Sequence, residues 1–219
     1  MHYCYLILFC CLTLVCSSCV KEIEEDTDEQ PPLEEPTQLM NLLTNGNCER
    51  WSGGIFGSKE YLDGWSMRTQ QECVFAEREI VYEGTASAKL CSPRTGITAL
   101  ISQPVSVVPG HRIRIVHHYL MDGESGNGAR MYCYFRKSAS SNISNDVLRT
   151  FYDEDTLDII RGGGYGIPRF SDTGGEWKLF DYTIRVPAIA NTFVFEIHSY
   201  AGTTFYVDDC YVIDLSIQP

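Results

Sequence analysis

The sequence predicts an all-β protein built as a sandwich of antiparallel sheets. Segments rich in β-branched and aromatic residues recur along the chain and are separated by Gly, Pro, Asn and Ser, as is typical of such sandwiches. No long segment repeats its apolar residues with the 3.6-residue period of an amphipathic helix. Only residues 153–161 fit a short helix. From these runs we predict strands at residues 73–82, 87–92, 99–107, 112–120, 129–137, 177–186, 192–200 and 204–214.

Residues 1–18 are predicted to be a secretory signal. Their apolar run, residues 5–15, is interrupted only by Thr13 and is too short to cross a bilayer as a helix. Two small residues, Ser17 and Ser18, then precede Cys19, an order that resembles a bacterial lipobox. The resemblance implies cleavage before Cys19 and acylation of that cysteine. One feature departs from the usual signal, because no Lys or Arg precedes Cys19.

Residues 19–38 are predicted to be a solvated tether. Between residues 21 and 37, eight Asp and Glu residues stand against one Lys, and three prolines close the segment. Such a composition cannot bury enough apolar surface to fold. An acidic stretch directly after a lipidated cysteine resembles the export signal of some surface lipoproteins, although a plain spacer is an equally good interpretation. We expect an outer membrane lipoprotein on the cell surface or the periplasmic face, held to the membrane through its lipid anchor only.

Residues 39–219 are long enough to form one domain with its own core. The whole chain has 17 Lys and Arg residues against 29 Asp and Glu residues, a net charge of −12. More than half of this excess lies in the acidic tether, so the domain itself is mildly acidic. Nucleic-acid binding requires clustered Lys and Arg that face phosphates. The charge balance therefore argues against nucleic acid as a partner.

Two motifs bracket this domain. Residues 41–51 have the pattern N-x-x-x-N-G-x-x-E-x-W, and residues 203–212 form an apolar strand interrupted by an Asp-Asp pair. Together they resemble the ends of galactose-binding-like jelly rolls, which include carbohydrate-binding modules of the family 4/9/22 type. Three further segments resemble sequence motifs of that group and occur in the same order, namely residues 83–90, 101–110 and 176–188. The resemblance implies a jelly-roll sandwich and a poly- or oligosaccharide as the partner.

The same resemblance implies a structural calcium ion. In these jelly rolls the opening Glu and the closing Asp pair often hold Ca2+, with carbonyl oxygens of a turn; here these residues are Glu49, Asp208 or Asp209, and the turn around Gly84 and Ser87. Hard cations prefer several oxygen ligands, and adjacent carboxylates repel each other unless a cation separates them. The alternative is that Asp208 and Asp209 only end a strand.

One predicted strand, residues 129–137, carries a candidate ligand surface. Its alternation places Met131, Cys133 and Phe135 in the core. The other face then carries Arg130, Tyr132, Tyr134 and Arg136, an arrangement that suits sugar stacking and hydrogen bonding. Alternatively, the aromatic residues are cross-strand pairs that stiffen the sheet. We expect the surface to be extended from neighbouring strands by His117 or His118 with Tyr119, and by Glu196, His198 and Tyr200.

The connection between Ser138 and Glu176 is longer than a compact domain normally needs. It contains a glycine-rich run, residues 162–166, that displays Tyr165. We predict that this loop borders the ligand surface, with Tyr165 as its contact residue.

Five cysteines lie in the domain: Cys48, Cys73, Cys91, Cys133 and Cys210. An exported domain can form disulfides, and two pairings are possible, Cys73 with Cys91 and Cys48 with Cys210. Free, buried cysteines are equally compatible with the sequence.

The sequence contains no signature of a hydrolase. G-x-S-x-G, H-E-x-x-H and cysteine-nucleophile motifs are absent, and the acidic residues at 153–158 are expected to be solvated. His117 and His118 must point to opposite sides of a strand, so they cannot share a metal. We predict a non-catalytic glycan-binding lipoprotein. The alternatives are a structural or protein-binding lipoprotein with an envelope protein partner, and a cryptic glycosidase or lyase.

Overall fold

The fold consists of two antiparallel β-sheets that share one core. The computed structural model describes residues 40–54, 59–69, 73–92, 95–122, 128–138, 141–161, 170 and 172–216, all within a unit that spans Pro36–Pro219. The predicted signal, Cys19, the acidic tether and Tyr165 lie outside the described residues. In chain order, the elements are β1 (Trp51–Gly53), β2 (Glu60–Leu62), β3 (Trp65–Thr69), β4 (Val74–Glu77), β5 (Ser87–Cys91), β6 (Ile97–Ser102), β7 (Val105–Ser106), β8 (Arg112–Asp122), β9 (Ala129–Met131), β10 (Tyr134–Ser138), β11 (Ser141–Asn142), α1 (Asn145–Leu148), α2 (Glu154–Arg161), β12 (Lys178–Arg185), β13 (Thr192–Val194), β14 (Glu196–Tyr200) and β15 (Thr204–Asp214).

The first sheet has the strand order β12-β8-β15-β5-β4, and all its neighbours are antiparallel. Its central strands, β8 and β15, are 11 residues long each. Alternating apolar side chains line the inner face of these strands, as a half-buried sheet requires. On β15, for example, Phe205 and Val207 are fully buried in the core.

A β-bulge interrupts the ladder between β15 and β8. The register shifts between Asp208 and Tyr211, and Asp209 has a positive φ of 52°. Because a bulge adds one residue to its strand, the inward positions of β15 continue at Cys210 and Val212, both fully buried. The bulge therefore leaves the Asp208 and Asp209 side chains free to reach the outer side of the first sheet together.

The second sheet consists of two consecutive segments, β3-β6-β14-β9 and β7-β13-β10-β11. Three strands run from one segment into the other, and each is interrupted for one or two residues. One interruption contains Pro104, which has no N–H for the ladder, and another is Phe195, whose N–H donates to Ser102 Oγ at 3.1 Å. The third lies at Tyr132 and Cys133. The two segments thus form one interrupted sheet, while β1 and β2 pair separately as a small hairpin.

The core is filled from both sheets. Phe135, Phe193 and Phe195 of the second sheet and Phe205 of the first are fully buried. His117 on β8 lies with its ring centroid 5.7 Å from that of Phe195, edge to face. Burial of each such aromatic side chain stabilises the fold by about 1.5–3 kcal/mol.

The opening motif joins the two ends of the domain. The Asn41 side chain donates to the Cys210 carbonyl at 2.8 Å and accepts from the Val212 N–H at 3.0 Å. The Leu42 N–H donates to the Val212 carbonyl at 2.8 Å. Gly46 packs so closely that a Cβ would lie 2.0 Å from the Cys210 carbonyl oxygen. The motif therefore fastens the start of the domain to its last strand.

The connection after β11 contains helix α2, which confirms the helix predicted at residues 153–161. Asp153 caps its start, because its Oδ1 accepts the Thr156 N–H at 2.8 Å. Leu157 and Ile160 are buried in the core, and the Ile160 carbonyl accepts the Cys133 N–H at 2.7 Å. The described part of the connection thus packs onto the sandwich. Among the described residues, no helix is long and apolar enough to span a membrane.

The all-β sandwich predicted from the sequence is confirmed. Strand β15 has the predicted bounds, and the predicted strands at 99–107, 129–137 and 192–200 each appear as two shorter strands. The strand predicted at 73–82 ends at Glu77, because the Tyr82 and Glu83 amides turn back and donate to Asp208. Strands β1, β2, β3 and β11 were not predicted from the sequence.

Candidate functional site

Polar and aromatic side chains line the outer side of the second sheet, where β9 pairs with β14. In this pair Ile197 lies opposite Met131, and His198 lies opposite Arg130. Ile197 and Met131 are buried in the core, so alternation places His198 and Arg130 on the outer side. We name this surface the arginine–tyrosine face, which comprises Arg68, Arg130, Tyr132, Glu196, His198 and Tyr200.

Stacked planar groups form the centre of the arginine–tyrosine face. The Tyr132 and His198 rings are stacked, with centroids 4.6 Å apart and an angle of 13° between their planes. The Arg130 guanidinium lies over the Tyr200 ring, with Cζ 4.6 Å from the centroid, a typical cation–π geometry. The Tyr200 hydroxyl lies 3.4 Å from His198 Nδ1. Four of the predicted ligand residues therefore contact one another in a continuous group.

A buried carboxylate lies beside this group. Glu196 is 1% exposed, and its Oε1 lies 2.5 Å from His198 Nε2 and 3.8 Å from the Arg68 guanidinium. Its second oxygen, Oε2, is buried and has no hydrogen-bond partner among the described residues. Leaving such a buried acceptor unpaired costs about 1–3 kcal/mol. The Nε of Arg130 is also buried and unpaired within the described part of the chain.

The arginine–tyrosine face crosses four strands. The register places Arg68 opposite Ala99, Ala99 opposite His198, and His198 opposite Arg130. With neighbouring strands about 4.8 Å apart, this row is roughly 14 Å long at the backbone. Arg68 was not predicted as a site residue, although the alternation of inward Trp65 with outward Arg68 indicates its direction.

Tyr134 and Arg136 lie on β10, beyond the interruption at Tyr132 and Cys133. Tyr134 is 7% exposed, and the Arg136 guanidinium covers its ring, with Cζ 5.0 Å from the centroid. Arg136 also donates to the Tyr134 hydroxyl at 3.1 Å and to Asn142 at 2.9 Å. Tyr134 therefore does not offer the open ring face expected from the sequence.

The prediction that His117, His118 and Tyr119 extend the same surface is wrong. These residues lie on β8, which pairs with β12 and β15 in the first sheet. Their opposite directions are confirmed, since His117 points into the core and the His118 ring stacks on Tyr82 with centroids 3.5 Å apart. The error arose because alternation gives the face of a strand but not its place in a sheet.

His117 is fully buried between aromatic rings. Its ring centroid lies 4.9 Å from that of Phe180 and 5.5 Å from that of Phe170. Neither ring nitrogen has a hydrogen-bond partner among the described residues. Burial, with a smaller contribution from His118, lowers the pKa of His117 to about 3.

A second polar site, which we name the terminal cavity, lies at the bulge of β15. It has a volume of about 210 Å³ and is lined by Asn47, Glu49, Glu83, Gly84, Asp208, Asp209 and Tyr211. The structure thus brings Glu49, Gly84 and the Asp pair to one cavity, and calcium binding there stays a prediction.

Glu49 is bound to the turn that follows β4. Its carboxylate accepts the Thr85 N–H at 2.8 Å, the Thr85 hydroxyl at 2.5 Å and the Ala86 N–H at 3.1 Å. Burial alone would raise the pKa of Glu49, but these hydrogen bonds outweigh it and the pKa is lowered. Gly84 has a φ of +77°, and a Cβ there would lie 2.2 Å from Glu49 Oε1. Only glycine fits this close approach.

Asp208 is fully buried and is also paired with amides. Its Oδ2 accepts the N–H groups of Tyr82 and Glu83 at 3.1 and 3.3 Å, and its Oδ1 accepts that of Asp209 at 2.8 Å. Burial nevertheless raises the pKa of Asp208 to about 6, with a further contribution from the charge of Asp209. Asp209 accepts a short hydrogen bond from the Tyr211 hydroxyl.

Ser87 does not line the terminal cavity. Its hydroxyl donates to the Ile80 carbonyl at 2.7 Å, within the turn. Among the described residues, no group of three or more His, Cys, Asp or Glu side chains is placed to hold a metal ion. A cation in the terminal cavity would therefore need backbone carbonyls as ligands in addition to carboxylates.

The five cysteines of the domain are free thiols. Both predicted pairs are nevertheless close in the fold. The Cys91 N–H donates to the Cys73 carbonyl at 2.8 Å across β4 and β5. Burial, followed by interaction with Cys48, raises the pKa of the Cys210 thiol. The structure thus corresponds to the free-cysteine alternative.

Solved structures share this fold. No protein-family model matches the sequence, and no curated protein matches it. A family 16 carbohydrate-binding module is 19% identical, with a TM-score of 0.52 over 80% of this chain and 100% of its own. The CBM22-1–CBM22-2 tandem domain of Paenibacillus barcinonensis Xyn10C is 12% identical, with a TM-score of 0.50 over 83% of this chain and 46% of its own.

An enzyme domain shows the same similarity. The enzymatically active domain of tailspike protein 4 from bacteriophage CBA120 is 14% identical, with a TM-score of 0.52 over 80% of this chain and 21% of its own. At these identities the similarity concerns the fold alone. The chain therefore has the jelly-roll β-sandwich fold that carbohydrate-binding modules also have.

Proposed function

We propose that this domain binds a poly- or oligosaccharide on the arginine–tyrosine face and does not cleave it. The observation that carries the proposal is the stacked group of Tyr132, His198, Tyr200 and Arg130 beside a buried, unpaired oxygen of Glu196. Flat aromatic surfaces with a few convergent polar groups are what sugar rings require. The shared fold of carbohydrate-binding modules supports the same function.

The binding mechanism follows from the two kinds of group on this face. The apolar C–H side of a pyranose would pack against the half-exposed ring of Tyr132. A sugar hydroxyl would donate to Glu196 Oε2, which removes the cost of the unpaired acceptor. Arg130 Nε would donate to a sugar oxygen. Because the Tyr132 ring is already held by His198, little side-chain entropy is lost on binding.

The absence of catalysis is supported by the acid groups of the face. Most glycosidases need two carboxyl groups across the scissile bond. Among its described residues the arginine–tyrosine face has one, Glu196, which is held by His198 and Arg68. Incubation with the bound glycan should release no new reducing or unsaturated ends. Turnover of any polysaccharide by the purified protein would contradict this part of the proposal.

The test is a calorimetric titration of the purified protein with oligosaccharides selected on a glycan array. Replacing Tyr132 with Ala should weaken binding by about tenfold or more, because stacking on one ring contributes roughly 1–2 kcal/mol. Tyr61→Ala is the matched control, since Tyr61 is 54% exposed and lies on the separate β1–β2 hairpin. Equal binding by both variants, with an unchanged melting temperature, would reject this face as the site.

For the terminal cavity we propose a structural calcium ion. Oxygen donors are the ligands that Ca2+ prefers, and this cavity gathers Glu49, Asp208 and Asp209 with the turn at Gly84. The raised pKa of Asp208 reflects burial that a cation would compensate. Addition of Ca2+ to chelator-treated protein should raise its melting temperature, and Mg2+ should do so less. An unchanged melting temperature would argue against the ion.

For the N-terminal region we propose a lipid anchor at Cys19 and a solvated acidic tether, with the domain on the outer membrane. This proposal rests on the sequence pattern alone. Metabolic labelling with a palmitate analogue should acylate the protein in a bacterial host, and Cys19→Ala should abolish the label and release the domain from the membrane fraction.

A further inference from the structure

We propose that the arginine–tyrosine face selects an acidic glycan, one whose sugars carry a carboxylate next to hydroxyls, as uronic acids do. The inference rests on the proposed function, because it names the ligand class of the same face. It follows from the charge of the face, from the unpaired Nε of Arg130 and from the unpaired Oε2 of Glu196.

The charge of the arginine–tyrosine face is opposite to that of the protein. The chain has a net charge of −12, yet this face carries Arg68 and Arg130 at the two ends of one cross-strand row. Its only described carboxylate, Glu196, is buried and paired with His198 and Arg68. A locally positive surface on an acidic protein draws anionic ligands and repels other acidic parts of the same chain.

Arg130 is prepared to bind a planar anion. Its guanidinium lies over the Tyr200 ring, with Cζ 4.6 Å from the ring centroid. Its Nε is unpaired, and no carboxylate within the described residues lies within 4.0 Å of it. Guanidinium and carboxylate form two parallel hydrogen bonds when both are planar. Tyr200 thus orients Arg130, and no described acidic residue competes for it.

Glu196 restricts what kind of anion fits. Its unpaired Oε2 is an acceptor, so its partner must be a donor. Free sulfate and phosphate dianions present only acceptors and would face a like charge at this position, so the anionic group must belong to a molecule that also carries a hydroxyl. A uronic acid presents both groups, a carboxylate for Arg130 and a hydroxyl for Glu196. Arg130 lies opposite His198, two residues from Glu196, roughly 7 Å away along the strands, which matches groups on one or two adjacent sugars.

The test compares acidic oligosaccharides with carboxyl-reduced forms of the same molecules. Galacturonate, glucuronate and mannuronate–guluronate oligomers are titrated by calorimetry, each beside the neutral sugar obtained by reducing its carboxyl groups. At least one acid should bind about tenfold tighter than its reduced form, as expected for one bidentate guanidinium–carboxylate pair. Arg130→Gln should abolish that difference, and Arg130→Lys should restore only part of it. Arg112→Gln, an exposed arginine on the first sheet, should leave it unchanged.

Each outcome decides between the two proposals. If reduced sugars bind as tightly as acids in a Tyr132-dependent way, the proposed function stands and the acidic preference is overturned. If the acid preference exists but survives Arg130→Gln, the assignment of Arg130 is overturned. If neither acidic nor neutral glycans bind, both proposals fail.

Discussion

The arginine–tyrosine face and the terminal cavity each contain a buried carboxylate, but the two carboxylates differ in how their oxygens are hydrogen-bonded. Asp208 in the terminal cavity accepts three backbone N–H groups through both of its oxygens. Glu196 on the face has one oxygen paired with His198 and one oxygen without a described partner. Both side chains are almost completely buried, so exposure does not explain the difference.

Under the proposed function, this contrast separates a group that serves the fold from one that serves a ligand. Amides that bind Asp208 belong to the turn and to the bulge, so its carboxylate holds two parts of the chain together. An unpaired acceptor adds nothing to folding and costs about 1–3 kcal/mol, which a ligand donor can remove. We therefore expect changes in the terminal cavity to affect stability and changes on the arginine–tyrosine face to affect binding.

The largest expected effect is at Gly84. Gly84→Ala introduces a Cβ 2.2 Å from Glu49 Oε1 at a φ of +77°, so it strains the backbone and displaces the Glu49 carboxylate. We expect a loss of about 3 kcal/mol in the free energy of unfolding, measured by urea denaturation. Gly110→Ala is the control, because Gly110 has a φ of +82° and no atom within 4 Å of its added Cβ. It should cost only about 1 kcal/mol; equal losses would show that Glu49 does not anchor the turn.

The next effect is a pH dependence of stability. It arises from His117, an unpaired group in the core, in contrast to Glu196 on the outer side of a sheet. His117, like Glu196, has buried polar atoms without a described hydrogen-bond partner, but it lies among aromatic rings in the core and not on the outer side of a sheet. Its pKa is about 3 in the folded protein against 6.5 ordinarily. Between these values the unfolded state binds more protons, so stability falls as pH decreases below about 6.5. The loss from this group between pH 7 and 5 should be about 2 kcal/mol.

The measurement compares the pH dependence of urea unfolding for the parent protein and His117→Phe. A phenylalanine keeps a planar ring among Phe180 and Phe170 but cannot titrate. The two proteins share all other titrating groups, so subtracting one curve from the other leaves the contribution of His117. Parallel curves between pH 7 and 5 would contradict the burial of a neutral imidazole.

A smaller effect is expected at Glu196. Glu196→Gln keeps the size of the side chain and replaces one acceptor oxygen by a donor. Glycan affinity should fall by about tenfold, which corresponds to roughly 1.4 kcal/mol, while the free energy of unfolding should change by less than about 1 kcal/mol. A loss of stability without a loss of glycan affinity would show that Glu196, like Asp208 in the terminal cavity, supports the fold and not ligand binding.

The smallest effect is expected at an exposed ion pair. Arg114 donates two hydrogen bonds to Asp181 on the outer side of the first sheet, at 2.8 and 2.6 Å, but both side chains are solvent-exposed. Arg114→Gln should change stability by less than about 1 kcal/mol and leave glycan affinity unchanged. A larger change in affinity would indicate that the first sheet also contacts the ligand.

Much of the fold could be predicted from local patterns. A run of β-branched and aromatic residues at 204–214 predicted strand β15 with its observed bounds, and the helix predicted at residues 153–161 is α2. Interruptions within strands escaped prediction, because they depend on partners distant in sequence. Phe195, for example, leaves the ladder where Ser102 replaces a backbone acceptor.

The candidate site was predictable residue by residue but not as a surface. Alternation placed Arg130 and Tyr132 correctly on the outer side of one strand. It could not show that Arg136 covers Tyr134, or that β8 belongs to the other sheet. Such features arise from strand order and tertiary packing. The two-residue alternation of side chains along a strand carries no information about either.

The hydrogen bonds of Asn41 have a mechanical consequence. A pull on the chain before Asn41 reaches β15 directly, through the Cys210 carbonyl and the Val212 amide. Because β15 is central in its sheet, such a pull would be resisted by neighbouring strands on both sides. A domain fastened in this way is suited to bearing a load applied at its N-terminal side without unravelling strand by strand.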